Sequence, residues 1–323
     1  MVIQILKKEK EKERCVMKKN LKRLAALGLC VAMGATMLAG CGGKDSGKSK
    51  DGKVELTMAV WDSDQQPVME EMAAAYTKAN PNVTVKTQLT TWTEYWTKLE
   101  AGATSGSAAD IITMNVLHVE EYAEAEKKSD LKIHENFPTP LVDGYTVDGK
   151  LYGIPKDFDT NAVFYNKEIF DKAGVEYPKD GWTFEEFKAT AEKIKAANIP
   201  GVYACPVNRN SGQTTFDATI FANGGYILNE DNTETGWDDP KTIGGIQPWL
   251  DFVTEGLSPT LEQMTNTDPD SMFQGGQAAM YLSGNYMIPS YNKTLEGKYG
   301  IVSRPTFNGK NTDIINGLAF SVS

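Results

Sequence analysis

The sequence predicts an α/β protein with two lobes. Strand-like alternation of apolar residues is repeatedly followed by a longer segment with helical periodicity, which is typical of α/β folds. Two such series follow one another, the first from Val54 and the second from about Leu151. The chain has 323 residues, of which 41% are hydrophobic and 24% charged. This length and composition suit two globular domains.

The first series opens with a strand and a helix. Residues 54–60 alternate apolar and polar side chains and predict a strand. Pro67 can open a helix that residues 80–81 close. The apolar face of this helix is expected to carry Met69, Met72, Ala73 and Tyr76.

A second strand, a second helix and a third strand are expected next. The second strand covers residues 83–89, and Thr91 with Glu94 forms a capping-box pattern for the helix after it. Residues 110–114 form an apolar run typical of a buried parallel strand, with Asn115 at its end. The stripe of the second helix comprises Trp92, Trp96, Leu99 and Ala103. Two βαβ units of this kind predict a doubly wound sheet.

The second series predicts a second sheet with flanking helices. Asn166 can cap a helix that ends at Gly174, and Thr183 with Glu186 can cap another. A further helix ends at Gly256, and its apolar face is expected to carry Ile243, Ile246, Leu250 and Val253. Strands are expected over residues 162–165, 202–205, 278–282, 299–304 and 318–322.

The charge balance argues against nucleic acid as a partner. The chain has 33 Lys and Arg against 43 Asp and Glu, a formal net charge of −10. Binding to phosphates depends on clustered cationic side chains that release counterions. The two histidines, His118 and His134, are expected to be solvated or structural. We expect no cofactor and no metal site.

The first forty residues differ in charge from the rest and contain nine of the lysines and arginines. From Met17 onward, a short basic segment precedes an apolar run over residues 24–38. The run ends in Leu-Ala-Gly-Cys at 38–41, which resembles the cleavage site of a bacterial lipoprotein. Residues 1–40 are therefore expected to be an N-terminal extension and a lipoprotein signal peptide, with the start at Met17.

Cys41 would then be the lipidated first residue of the mature chain. Residues 41–53, rich in Gly, Ser and Lys, would form a flexible tether. The alternative is an uncleaved anchor helix, although the apolar run is short for one. Cys205 would remain as a free thiol, expected to be a buried apolar residue.

Several motifs in order along the chain resemble one family of transport proteins. They are residues 60–62 (VWD), 109–115 (ADIITMN), 149–155 (GKLYGIP), 164–170 (FYNKEIF), 182–187 (WTFEEF), 222–225 (ANGG), 273–280 (FQGGQAAM) and 304–305 (RP). Together they resemble the extracellular solute-binding proteins of ABC transporters, in the sugar-binding group that includes maltose-binding protein. The resemblance implies an α/β, two-lobed periplasmic-binding-protein-like fold in which each lobe is a doubly wound sheet with flanking helices. The ligand cleft between the lobes would close by hinge bending.

The resemblance also implies how the chain is divided. Lobe I is expected over residues 54–158 plus 299–323, and lobe II over residues 159–298. The chain is expected to cross between the lobes near 157–161 and again near 284–299. Such proteins usually continue with helices beyond the last strand, and this C-terminal helical part is apparently missing here.

The function implied is binding of a mono- or oligosaccharide and its delivery to the permease of an ABC transporter. The protein would act on the extracellular face of the bacterial cytoplasmic membrane, attached through lipid on Cys41. A sugar ring offers apolar faces to aromatic side chains and hydroxyl groups to polar ones. Open α/β sheets bind ligands at the carboxyl ends of their strands. The residues that meet these conditions are Trp61, Asp62, Trp92, Asn115, Asp157, Asp159, Asn285 and Tyr286.

The sequence also allows other roles for some of these residues and other classes of protein. Trp61 can belong to the core, Asp157 and Asp159 can shape a turn, and Trp96 is expected in the core. A surface carbohydrate-active enzyme such as a glycosidase would also use acidic residues and tryptophans. The sequence contains no G-x-S-x-G or H-E-x-x-H motif. The third class is a binding protein for a polyamine or peptide.

Overall fold

The described chain contains a five-stranded and a three-stranded β-sheet, each with its own helices, and a separate two-stranded hairpin. The computed structural model describes residues 52–123, 137–229 and 233–323. The predicted signal peptide, Cys41, most of the tether and His134 lie outside these residues.

The first sheet has the strand order β2-β1-β3-β10-β6. The strands are β1 (Val54–Val60), β2 (Val83–Leu89), β3 (Ile111–Asn115), β6 (Ile154–Asp159) and β10 (Asn316–Val322). Strand β1 pairs in parallel with β2 and β3, while β10 runs antiparallel to β3 and β6. Helix α1 (Gln66–Ala79) connects β1 to β2, and α2 (Trp92–Ser105) connects β2 to β3. The two predicted βαβ units are confirmed.

Shorter elements complete this part of the chain. They are helices α3 (Val119–Tyr122) and α4 (Thr139–Gly144) and a small hairpin of β4 (Thr146–Val147) and β5 (Lys150–Leu151).

The second sheet has three strands in the order β8-β7-β9. They are β7 (Asn161–Asn166), β8 (Met280–Gly284) and β9 (Tyr299–Val302), and both pairings are antiparallel. This pairing differs from the doubly wound arrangement expected for the second lobe. The helices of this part are α5 (Lys167–Ala173), α6 (Phe184–Ala196), α7 (Asp217–Ala222), α8 (Pro240–Thr254), α9 (Leu261–Asn266), α10 (Pro269–Gln274) and α11 (Ile288–Thr294). A 3₁₀ turn over Asn285–Met287 precedes α11.

Residues 202–205 do not form the predicted strand. Tyr203 makes one isolated parallel bridge to Ala278. The backbone N–H groups of Ala204 and Cys205 then both donate to the carbonyl oxygen of Leu257, which turns the chain away from a regular ladder. Cys205 is fully buried, as expected, and burial raises the pKa of its thiol.

The return to the first sheet comes later in the chain than predicted. Strand β9 (Tyr299–Val302) pairs with β7 in the second sheet, and Val302 packs in the core of that part. Assigning residues 299–323 to lobe I was therefore wrong for β9, and the second crossing does not lie at 284–299. We use "first lobe" for residues 54–159 with 316–322, and "second lobe" for residues 161–315. The crossings are Asp159–Asn161 and residues 303–315.

Each lobe has its own apolar core. The first-lobe core lies between the sheet and α2, and its members include Tyr95, Leu99, Ile112, Met114 and Tyr145. The second-lobe core packs α6 and α8 on the sheet, and its members include Phe184, Phe187, Trp249, Phe252 and Leu282.

Three helices bury a different face from the one predicted. On α1, Met69 and Ala73 are buried, but Met72 and Tyr76 are exposed. On α2, the buried residues are Tyr95, Leu99 and Gly102, while Trp92 and Ala103 are exposed. On α8, the buried residues are Thr242, Gly245, Trp249 and Phe252, while Ile243 and Leu250 face solvent. Helix α8 ends at Thr254, two residues before its predicted end at Gly256.

The capping predictions are confirmed for α5 and α6 and in part for α2. Thr183 and Glu186 form both bonds of a capping box at the start of α6. The Asn166 side chain accepts from Ile169 N at 3.2 Å to begin α5, and Gly174 ends that helix at φ +65°. At α2 the structure shows one of the two bonds of the predicted capping box, in which Thr91 accepts from Glu94 N at 3.4 Å.

Candidate ligand-binding site

Aromatic side chains gather at the carboxyl end of β1. Trp61 follows that strand, and its ring centroid lies 4.9 Å from Trp92 and 4.7 Å from Tyr95, both in edge-to-face geometry. Trp61 is half-buried, whereas 43% of the Trp92 surface is exposed. Trp92 therefore has an accessible ring surface, and Trp61 packs against that ring edge to face.

Trp96 and His118 extend this aromatic group away from solvent. Their rings stack at 3.8 Å between centroids, and His118 Nδ1 lies 3.5 Å from Glu121 Oε2. Trp96 is half-buried, with its Nε1 buried and without a hydrogen-bond partner among the described residues. His118 is therefore a supporting member of the aromatic group, which its isolated position in the sequence did not indicate.

Asp62 and Asn115 lie at strand ends as predicted, and both side chains bond to nearby backbone. Asp62 Oδ1 accepts from Asp64 N at 2.8 Å and from Gln65 N at 3.2 Å, which shapes the turn into α1. Asn115 is buried, and its Oδ1 accepts from Leu117 N at 2.9 Å. Such short polar side chains commonly bond to backbone two or three residues further on. The Asn115 oxygen is thereby committed to its turn.

A buried lysine lies beside Trp61 and Asp62. The side chain of Lys156, in β6, is 9% exposed. Its Nζ donates to Gln65 Oε1 at 2.7 Å and pairs with the Asp157 carboxylate. Lys156 was not among the predicted site residues, because a lysine within a strand usually faces solvent.

Asp159 lies at the first crossing and is bonded by both lobes. Gln213 Nε2 of the second lobe donates to Asp159 Oδ1 at 2.5 Å. Asn316 Nδ2, at the start of β10, donates to Asp159 Oδ2 at 3.2 Å. Burial raises the pKa of Asp159 to about 6 despite these two donors. The sequence predicted Asp159 but neither of its partners.

The two crossings are also joined to each other. Asp313 accepts from the backbone N of Asn161 at 2.9 Å and from Asn161 Nδ2 at 3.1 Å. Arg304 Nε lies 3.8 Å from Asp313 Oδ1, and the guanidinium donates to the carbonyl oxygens of Thr214 and Thr215 at 2.8 and 2.6 Å. Burial lowers the pKa of Arg304 to about 10.

The second lobe contributes Asn285 and Tyr286, which directly follow β8. Both are exposed, and the backbone N of Asn285 donates to Thr160 O at the first crossing, 3.2 Å away. Desolvation, followed by the nearby Asp159 carboxylate, raises the pKa of Tyr286. These two residues and Asp159 therefore lie close together.

One ion pair bridges the edges of the two lobes. Asp64, in the turn between β1 and α1, pairs with Lys293 of α11. The turn follows Trp61 and Asp62, and α11 follows Asn285 and Tyr286. The ion pair therefore lies beside the candidate residues of both lobes, although neither partner was singled out from the sequence.

Among the residues that the structure describes, no helix is both long enough and apolar enough to cross a bilayer.

Comparison with protein families gives one match over most of the chain. The profile of the family described as bacterial extracellular solute-binding protein matches residues 71–323.

The curated relatives are named as binding proteins, and the chain spans only part of each. It is 25% identical over 264 residues to a binding protein of Brucella abortus, covering 79% of this chain but 63% of that protein. It is 26% identical over 327 aligned positions to the galactooligosaccharide-binding protein of Bacillus subtilis, covering 94% of this chain and 73% of the relative.

Solved structures share the two-lobed fold. An ABC substrate-binding protein of Listeria monocytogenes, solved in complex with cycloalternan, superposes with a TM-score of 0.74 at 27% identity. The match covers 84% of this chain and 71% of that one. The GacH receptor of Streptomyces glaucescens has a TM-score of 0.72 at 23% identity, over 83% of this chain and 71% of the other, and supports the fold alone.

Proposed function

Since the chain belongs to the bacterial extracellular solute-binding protein family, we propose that it binds a mono- or oligosaccharide between its two lobes. It then delivers the sugar to the permease of an ABC transporter. The observation that carries this proposal is the exposed Trp92 ring, which Trp61 contacts edge to face. This ring lies at an edge of the first lobe that the Asp64–Lys293 ion pair connects to the second lobe.

The chemistry of this region suits a sugar. The face of Trp92 can stack on the apolar face of a pyranose ring. Asp157, half exposed, and the exposed Asn285 and Tyr286 can exchange hydrogen bonds with hydroxyl groups. Asp62, Asn115 and Asp159 act mainly by shaping turns and the crossing, because their oxygens are already used there.

The named relatives support the ligand class. Galactooligosaccharide-binding and maltodextrin-binding proteins of Bacillus subtilis are 26% and 25% identical to this chain. The aromatic surface of Trp92 and the names of these relatives both support a sugar as the ligand.

The proposed place of action is the outer face of the cytoplasmic membrane, with lipid on Cys41. A relative from Streptococcus pneumoniae is named as a maltooligosaccharide ABC transporter solute-binding lipoprotein. Two acyl chains give stable anchoring. In a bacterial host, Cys41→Ser should release the protein from the membrane fraction, and unchanged membrane association would refute the anchor.

A thermal-shift screen with product analysis tests the function and its alternatives. The panel contains maltotriose, galactotriose, D-glucose, spermidine and a tripeptide. We expect a rise in melting temperature with at least one sugar, which chromatography then recovers intact. Hydrolysed sugar would indicate a glycosidase, and a shift only with spermidine or the peptide would move the protein to another ligand class.

A further inference from the structure

We propose that a small recess beside Lys156 receives the exocyclic hydroxymethyl group of a hexose, so that the site selects hexoses over pentoses. This inference rests on the proposed function. We call it the Lys156 recess. Its lining combines apolar side chains, those of Val60, Met69 and Leu318, with polar ones, those of Asp62, Gln65, Thr113 and Lys156. Trp61 also lines it, which connects the recess to the stacking surface.

The recess lies at the carboxyl end of β1, where Val60 and Trp61 both line it. Strands β3, β6 and β10 each contribute a further lining residue. A sugar that contacts Trp61 can therefore extend a substituent into the recess. Its room corresponds to about one water-sized group. A hydroxyl group fits that size, whereas a second sugar ring does not.

Lys156 provides the polar end of the recess. An ammonium group has three N–H donors. Among the described residues, Gln65 Oε1 and the Asp157 carboxylate accept two of them. A buried ammonium gains from each further acceptor, because desolvated charge is costly when its hydrogen bonds are incomplete. The third N–H is available to a ligand oxygen.

The apolar and the polar lining residues match the two parts of a hydroxymethyl group. The methylene can contact the apolar side chains of Val60, Met69 and Leu318, and the hydroxyl oxygen can accept from Lys156. A carboxylate suits the recess less well, because Asp157 already neutralises Lys156 and Asp62 also lines the recess. The recess therefore favours a neutral hexose over a uronic acid.

Three sugars that differ in a single substituent test the inference. D-Glucose carries the hydroxymethyl group, 6-deoxy-D-glucose has a methyl group there, and D-xylose has a hydrogen. We expect affinity to fall in that order, by roughly 10-fold to 100-fold for loss of the hydroxyl, measured by calorimetry or NMR titration. D-Galactose and L-arabinose form a second pair that differs in the same group.

Variants then assign the effect to Lys156. Lys156→Met should bring glucose and 6-deoxyglucose to within about twofold of each other, because the donor is gone. The exposed Lys150→Met, also in the first lobe, is the matched control and should keep the wild-type ratio. If Lys156→Met fails to fold, the sugar series on the wild-type chain decides alone.

The outcomes separate this inference from the proposed function. Equal affinity for D-glucose, 6-deoxy-D-glucose and D-xylose overturns the recess assignment. The assignment is also overturned if the chain binds maltotriose or galactotriose but none of the monosaccharides of the two series. A chain that binds no sugar of either panel overturns the proposed function, and the inference with it.

Discussion

Two half-buried aspartates, Asp159 and Asp217, couple the stability of the fold to pH. Burial raises the pKa of each to about 6, from 3.8 for an exposed carboxyl, and for Asp217 the nearby Arg304 opposes the rise. A carboxyl whose pKa is higher in the folded state stabilises the fold when it is protonated. This contribution is complete below about pH 4 and is lost as pH rises through 6.

Asp217→Asn should therefore stabilise the protein at neutral pH. We expect the free energy of unfolding to rise by about 1–2 kcal/mol at pH 7.5, after allowance for partial solvent screening, and not to rise at pH 4. Urea denaturation at both pH values measures this difference. The exposed Asp143→Asn is the control and should change little at either pH. An equal gain at both pH values would contradict the role of the charge.

Residue roles at the site were only partly predictable from the sequence. The strand-end rule found Trp61 and Asp62, and the capping pattern placed Trp92 at the start of a helix. Lys156, Gln213 and Asn316 could not be found in this way. Lys156 bonds to Gln65, 91 positions away, and Asn316 bonds to Asp159, 157 positions away. No local pattern encodes such contacts.

Helices α7 and α8 pack unusually close because of Gly245. A Cβ atom at that position would lie 2.5 Å from Ile220 Cα, and Thr219 Oγ1 donates to Gly245 O at 2.7 Å. The indole N–H of Trp249 in turn donates to Thr219 Oγ1 at 2.9 Å. The close approach thus connects a backbone contact to the second-lobe core.

Gly245→Ala should force these helices apart. We expect a loss of about 1–3 kcal/mol in the free energy of unfolding, typical of overpacking. Gly244→Ala on the same helix is the control, because its Cβ would meet the Asn223 side chain, at 2.8 Å from Nδ2, and no backbone atom. That variant should cost less than Gly245→Ala, since only the Asn223 side chain, which bonds to Lys241 O and Asn308, has to shift and alanine favours a helix more than glycine. Similar melting temperatures for the two variants would refute the packing argument.

The positions of the strands and helices were predicted better than the buried faces of the helices. Strands β1 and β2 and the caps of α5 and α6 follow from local patterns, and the structure reproduces them. The face of α8 was assigned from Ile243 and Leu250, yet the buried side is that of Gly245 and Trp249. A glycine that permits close packing adds nothing to a hydrophobic pattern. The face of α8 predicted from periodicity is therefore displaced by about one residue from the face that is buried.

The two lobes are connected by the crossings and by the Asp64–Lys293 ion pair. The crossings are joined by the Asn161–Asp313 bonds. The ion pair is partly solvated, with 69% of the Lys293 side chain exposed. It is therefore expected to bias the separation of the lobes rather than the stability of either one.

Lys293→Ala should weaken ligand binding by about twofold to fivefold, because a closed arrangement loses one exposed ion pair. The melting temperature should not change. Lys298→Ala is the matched control, since the Lys298–Glu168 pair at 3.3 Å lies within the second lobe. Titration of the ligand found in the sugar panel measures both variants. Equal affinities for the two variants would show that the interlobe pair has no part in closure.

The two-lobed architecture followed from the motifs, but the path of the chain between the lobes did not. Strand β9 was placed with lobe I because the second crossing was expected before it, near residues 284–299. Its pairing with β7 is decided by side-chain packing of Val302 in the second-lobe core. Local sequence does not distinguish two such partners.

Calorimetric titration of wild type and Trp92→Ala with the panel sugar that binds most tightly tests whether the Trp92 ring binds the sugar. We expect saturable binding to wild type and roughly 10-fold to 100-fold weaker binding to the variant. The melting temperature should fall only modestly, because 43% of the Trp92 surface is exposed although the ring also packs on Trp61, Trp96 and His118. Trp61→Ala is less decisive, since that ring is half-buried and also packs on Tyr95. Equal sugar affinity in wild type and Trp92→Ala would show that this ring does not bind the sugar.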